Sequence, residues 1–124
     1  MPIRVGVDLV WADEVREALD EYGDRYLERV FTERELAQCG RSPLRLAGRF
    51  AAKEAAMKIL RIDDEPLPWR SIGVYAARGG ELSLELGGAA AELASRRGFD
   101  RLSVSVTQRK ALAAAVVLAQ GRSV

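Results

Sequence analysis

Apolar and polar residues alternate over Ile3 to Asp8, with Ile3, Val5 and Val7 on one face and Arg4, Gly6 and Asp8 on the other. That period of two predicts a short strand ending on an acid. Val15, Ala18, Leu19 and Tyr22 recur at helical spacing, so Asp13 to Tyr22 reads as a helix that Gly23 ends. Tyr26, Leu27 and Val30 predict a further helical turn. Thr32-Glu33-Arg34-Glu35 is a capping box, with Thr32 as N-cap and Glu35 at the third helical position, and opens a short helix through about Gln38. Ser42-Pro43 is a second start signal, a capping hydroxyl followed by proline at the first helical position. The helix it opens should run to about Leu60, with Leu46, Phe50, Met57 and Leu60 as its apolar stripe.

Asp63 to Pro68, with Pro66 and Pro68, reads as a turn-rich connection, and the remainder reads mainly as strands. Ile72 to Ala76 and Leu82 to Leu86 are separated by Gly79-Gly80, which predicts a hairpin. Ala89 to Arg97 predicts a short helix ended by Gly98. Leu102 to Thr107 alternates, with Leu102, Val104 and Val106 opposite Ser103 and Ser105. Ala111 to Ala119 reads as a buried strand, although its alanines also permit a helix. The order of elements predicts one α+β domain over residues 1–124: an antiparallel sheet, a long central helix and shorter helices.

Composition narrows the chemistry. The chain has 124 residues, 48% of them hydrophobic, which suits one globular unit. A formal charge of +1 argues against a general nucleic-acid binder. No apolar run reaches the length of a membrane span, and the N-terminus meets Asp8 too soon for a signal peptide. The lone Cys39 agrees with a reducing cytoplasm. The chain contains no histidine, which removes imidazole acid–base catalysis, Ser-His triads and imidazole-ligated metals. Carboxylates, lysines, arginines, hydroxyls and a hard metal ion are left to carry any reaction.

The long predicted helix places Glu54 and Lys58 on one face, since four residues at about 100° each return to the same side. Ala47, Ala51 and Ala55 lie near Glu54, so a ligand can approach the helix without obstruction. A carboxylate beside an apolar stripe suits a hard cation and Lys58 suits a phosphate; an ordinary solvated i,i+4 pair has the same spacing.

Four segments in order carry a more specific signal: Gly6-Val-Asp-Leu-Val10, Val30-Phe-Thr-Glu-Arg-Glu35, Leu46-Ala-Gly-Arg-Phe-Ala-Ala-Lys-Glu-Ala55 and Ser103-Val-Ser-Val-Thr107. Together they resemble the holo-acyl-carrier-protein synthases, trimeric 4′-phosphopantetheinyl transferases. The resemblance implies that family's fold. It also implies a cytoplasmic transferase of fatty acid or polyketide biosynthesis that moves 4′-phosphopantetheine from coenzyme A to a serine of an acyl carrier protein. It further implies a homotrimer with active sites between subunits. Asp8 matches the family's metal-binding aspartate and Glu54 its metal-binding glutamate, which hold Mg²⁺ with the coenzyme A pyrophosphate. Glu54, or a metal-held water, would assist deprotonation of the carrier serine. Lys58 matches a donor to the leaving phosphate, and Arg49 and Lys53 match basic positions near coenzyme A.

The chain departs from the family pattern at three places. Valine stands at 106, where the resemblance puts a histidine that helps hold coenzyme A; Gln108, Arg109 and Lys110 just beyond it are candidates to compensate, and an ordinary solvated hairpin turn has the same composition. Glu14 stands where the family often carries an arginine. The stretch around it is acidic at Asp13, Glu14, Glu17, Asp20, Glu21, Asp24 and Glu28 against Arg16, Arg25 and Arg29. Gly79-Gly80-Glu81 lacks the proline of the family's Gly-x-Pro turn. These departures leave a second reading, a relative that kept the fold but serves as a binding or assembly subunit, or acts on another phosphate-bearing or acyl substrate.

Overall fold

The computed structural model describes residues 2–61 and 66–121, so the first part of the connection predicted at Asp63 to Pro68 lies outside the described residues. The elements in chain order are β1 (Ile3–Trp11), α1 (Ala12–Tyr22), α2 (Asp24–Val30), α3 (Glu33–Cys39), α4 (Pro43–Leu60), a 3₁₀ turn (Trp69–Ser71), β2 (Ile72–Ala76), β3 (Leu82–Leu86), α5 (Gly88–Arg96), β4 (Phe99–Arg109) and β5 (Leu112–Gly121). The predicted strand at the N-terminus therefore continues past Asp8 to Trp11. The alanine-rich segment is a strand and not a helix.

Three strands form an antiparallel sheet in the order β1-β5-β4, and β2 and β3 form a separate antiparallel hairpin. Gly80 turns that hairpin at φ 87°, a left-handed conformation that costs glycine little. The predicted caps are present. Glu35 N donates to Thr32 Oγ1 at 3.1 Å and Thr32 N to Glu35 Oε1 at 2.8 Å, while Arg45 N donates to Ser42 Oγ at 3.3 Å. At the other end of α4, Arg97 Nη1 donates to the free carbonyls of Ile59 (2.7 Å) and Leu60 (3.1 Å).

α4 lies on one face of the three-stranded sheet. Ala47, Ala51, Ala52, Ala55 and Ala56 are buried on the helix, and Ala113, Ala115, Val117 and Ala119 on β5. Small residues on both sides let the backbones approach, and at Gly6 they touch: a β-carbon there would collide with the Ala55 carbonyl oxygen. Larger side chains fill the flanks, with Phe31, Leu46 and Val74 in one buried cluster and Leu60, Ile72 and Phe99 in a second. Burying one such side chain contributes roughly 1.5–3 kcal/mol.

The other face of the sheet is uncovered. Ile3, Val5, Val7, Leu9 and Trp11 of β1 are each more than half exposed, and Val116 is exposed beside Val7 on β5. The inward face of β1 is instead Gly6, Asp8 and Val10, the face that meets α4.

Candidate active site

The strand carrying Asp8 and the helix carrying Glu54 and Lys58 are brought together by the Gly6–Ala55 contact. Lys58 Nζ donates to Asp8 Oδ1 at 2.8 Å and to the Val7 carbonyl at 2.9 Å, although the two elements are far apart in sequence. Asp8 is mostly buried by this arrangement. Glu54 is half-buried beside it. Burial is the largest cause that raises the Glu54 pKa, the Asp8 carboxylate raises it further, Lys58 opposes both, and Glu14 adds a smaller rise. Glu14 stands on the first turn of α1, and its Oε2 accepts the Trp11 backbone N–H at 2.7 Å.

Asp8 and Glu54 thus concentrate negative charge within mutual electrostatic reach, with one ammonium to offset it. Among the described residues no group of three or more acid or thiol side chains is placed to hold a metal ion. Two carboxylates meet the needs of a hard ion such as Mg²⁺, which takes one or two and completes its shell with phosphate and water oxygens. The donor set fits that ion, and its oxygens are of the hard type the ion prefers.

A second polar region lies beyond the other edge of the sheet. A cavity of about 1030 Å³ opens between the N-terminal half of α4, the β2–β3 hairpin and the end of β4. Arg45 and Arg49, one helical turn apart, line it from α4. Ser105, Thr107 and Gln108 line it from β4. Arg49 Nη2 donates to Gln38 Oε1 at 3.2 Å. Two arginines one helical turn apart on the wall of a cavity suit a phosphorylated ligand.

Other residues singled out in the sequence fall elsewhere. Lys53, expected near coenzyme A, is fully buried. Its Nζ pairs with Glu35 Oε1 at 2.8 Å and donates to the carbonyls of Trp69 (3.1 Å) and Ile72 (2.5 Å). Burial lowers its pKa and the Glu35 carboxylate works against that fall. All three donors of this ammonium are taken, so Lys53 fastens α4 to α3 and the start of β2 and offers nothing to a ligand. Arg109 ends β4 and Lys110, at φ 57°, opens the turn to β5; both are exposed and neither lines the cavity. Val106 lines it, but packs inward: its Cγ1 would lie 3.2 Å from a β-carbon on Gly48. The polar side chain on that strand face is Gln108, two residues on, whose Nε2 donates to the Leu44 carbonyl at 3.0 Å. Sequence reasoning missed Arg45, although its spacing from Arg49 was a usable signal. It also missed Gln38, for which the local sequence carries none.

Residues 4–117 match the 4′-phosphopantetheinyl transferase superfamily. A holo-[acyl-carrier-protein] synthase of Solibacter usitatus is 34% identical over 122 residues, covering 95% of this chain and 98% of the relative. Among solved structures, the holo-[acyl-carrier-protein] synthase of Neisseria meningitidis is similar with a TM-score of 0.84 at 28% identity, covering 94% of this chain and 96% of that one. The ACPS–CoA complex of Chronobacterium ammoniagenes is similar with a TM-score of 0.81 at 30% identity, covering 99% of this chain and 100% of that one. With a match over nearly its whole length in sequence and in fold, this chain belongs to the holo-[acyl-carrier-protein] synthase family of 4′-phosphopantetheinyl transferases.

Proposed function

We propose that the chain transfers 4′-phosphopantetheine from coenzyme A to a serine hydroxyl of an acyl carrier protein, with Mg²⁺ held by Asp8 and Glu54. The observation that carries this reading is the meeting of Asp8, Glu54 and Lys58 at one place, from a strand and a helix far apart in sequence. Retention of that set weighs against the alternative of a mere binding subunit.

In the reaction, the serine oxygen attacks the pyrophosphate phosphorus that carries the pantetheine arm. A P–O ester bond forms and the P–O bond to adenosine 3′,5′-bisphosphate breaks. When bound, the divalent ion supplies positive charge to the pyrophosphate oxygens. Glu54, or a water held beside it, receives the serine proton. The Lys58 ammonium, more than half exposed and already at the site, turns to the leaving phosphate and offsets its growing charge. Arg45 and Arg49 hold the phosphorylated nucleotide end in the cavity.

The acid pair sits at the β1 edge of the sheet and the arginine cavity beyond the β4 edge, with β5 between. We propose that one copy's β1 edge meets the next copy's β4 edge, so that each complete site uses two subunits. Such head-to-tail contacts close into a ring of three when each copy is turned by a third of a circle from the last. The uncovered apolar stripe of β1 supports a homotrimer, since a patch of that kind on a monomer marks an interaction surface. The cytoplasm, with its carrier proteins and reducing conditions, is the compartment this reading assigns.

The test is incubation with coenzyme A, Mg²⁺ and several apo carrier proteins, followed by intact-mass measurement. A phosphopantetheinyl mass gain on a carrier is the expected result. No gain on acidic or less acidic carriers would defeat the reading.

A further inference from the structure

We propose that Gln38 is a positioning residue that holds the Arg49 guanidinium against the cavity and thereby sets affinity for a phosphate-bearing ligand. For the identity of that ligand as coenzyme A, this inference rests on the function proposed above.

Gln38 lies in the last turn of α3, beside the free edge of β2. Its side-chain amide makes the pair of bonds that a neighbouring strand would make there. Oε1 accepts the Ala76 N–H at 2.9 Å and Nε2 donates to the Ala76 carbonyl at 3.0 Å. The two bonds fix which end of the amide is oxygen. They also hold the amide rigidly, since breaking either leaves a part-buried backbone group unpaired. The second lone pair of Oε1 then accepts from Arg49 Nη2 at 3.2 Å. Glu35, one turn earlier on α3, treats Val74 N–H in the same way at 2.9 Å and passes its carboxylate to Lys53. α3 therefore serves β2 and α4 together, through one charged and one neutral side chain.

The neutral one matters for Arg49. Among the described residues its guanidinium makes no ion pair, so its charge is not spent within the fold. Its Nε is buried and without a hydrogen-bond partner. A carboxylate at position 38 would hold the guanidinium more strongly but cancel its charge. The amide holds it and leaves the charge for a ligand. Gln38 also lines the cavity, but both lone pairs of its Oε1 and one of its two Nε2 N–H groups are engaged, and the action on a ligand proposed here runs through Arg49.

A double-mutant cycle separates this from plain scaffolding. Coenzyme A and, in parallel, inorganic pyrophosphate are titrated by calorimetry into the full-length wild type, Gln38→Met, Arg49→Met and the double variant. Gln38→Met should weaken binding about three- to tenfold and Arg49→Met about tenfold or more, with the double variant no weaker than Arg49→Met alone. The melting temperature should fall on Gln38→Met in both backgrounds, because the Ala76 bonds are lost in each. A folded Gln38→Glu variant, which keeps the acceptor and adds a charge, should bind more weakly than Gln38→Met. Additive losses of affinity, or unchanged affinity in folded Gln38→Met, would overturn the proposal. So would a wild type that binds neither probe. Non-additivity with pyrophosphate in a chain that modifies no carrier would uphold Gln38 while defeating the transferase reading. Additive losses in a chain that does modify carriers would do the reverse.

Discussion

Gly6 of β1 and Ala55 of α4 meet backbone to backbone, with no room for a side chain at Gly6. This contact sets the distance between the strand that carries Asp8 and the helix that bears Glu54 and Lys58. Gly6→Ala must push backbone against backbone, and overpacking of this kind costs typically 1–3 kcal/mol. Chemical denaturation should show that loss. Transferase turnover should fall by more than the unfolded fraction explains, because Asp8 moves relative to Glu54. Wild-type stability and turnover in Gly6→Ala would show that the strand and helix are not held in register at this point.

Glu54 allows a prediction with a definite sign. Its pKa is raised in the folded chain, chiefly by burial and then by Asp8. A carboxyl that binds its proton more tightly when folded adds stability below its unfolded pKa, and that contribution is lost as pH rises through the folded value. In metal-free protein, Glu54→Gln should therefore melt above wild type at neutral pH, and the difference should vanish in acid. With Mg²⁺ and coenzyme A added the order should reverse, since only wild type gains from the ion. A Glu54→Gln variant that melts below wild type without metal would contradict the assigned environment.

Lys53 and Glu35 form a fully buried pair, and removing one partner from such a pair costs about 3–5 kcal/mol. Lys53→Met should lose stability on that scale in urea denaturation. Below its melting transition, its coenzyme A affinity should match wild type. A selective loss of coenzyme A binding in folded protein would return Lys53 to the ligand site.

The capping box at Thr32, the Ser42-Pro43 start and the full run of α4 were legible because each rests on local chemistry. The burial of β1 was not. Alternation shows that Ile3, Val5 and Val7 share a face, but not which face meets the helix. Here the apolar face is outward and Gly6, Asp8 and Val10 face in. Lys53 misled for a related reason. A lysine on an alanine-rich helix looks solvated until its acceptors, brought in from α3 and β2, are placed around it. The meeting of Asp8 with Lys58 was accessible only through the family pattern, since no local rule links a strand residue to a helix so distant in sequence.

The outward stripe on β1 carries the oligomer prediction. Light scattering at micromolar concentration should report three copies. Val7→Glu places a charge at the middle of the stripe, beside exposed Val116, without touching the core. It should yield a folded monomer with intact circular dichroism and little transferase activity, because each site would lack its second subunit. A monomeric wild type, or a fully active monomeric Val7→Glu, would remove the shared-site arrangement.

The acidic helices make the last prediction, on salt. α1 and α2 expose Asp13, Glu17, Asp20, Glu21, Asp24 and Glu28. Arg16 is already tied to Asp13, and Arg41 to Asp24. Glu14, on the same face as the site, adds its charge near Glu54. A carrier approaching this edge meets a negative field that acts over about 8 Å at physiological ionic strength and shrinks as salt rises. Attraction between opposite charges would make the reaction slow with added salt, and repulsion between like charges makes it quicken. With an acidic carrier at low concentration, kcat/KM should therefore rise between low and moderate sodium chloride while kcat stays nearly constant. A carrier with a neutral or basic docking face should show no rise, and Glu17→Lys with Asp20→Lys should abolish the rise for the acidic one. A fall of kcat/KM with salt in the wild type would mean that the carrier docks on another, basic surface and that the charge of α1 and α2 plays no part in the encounter.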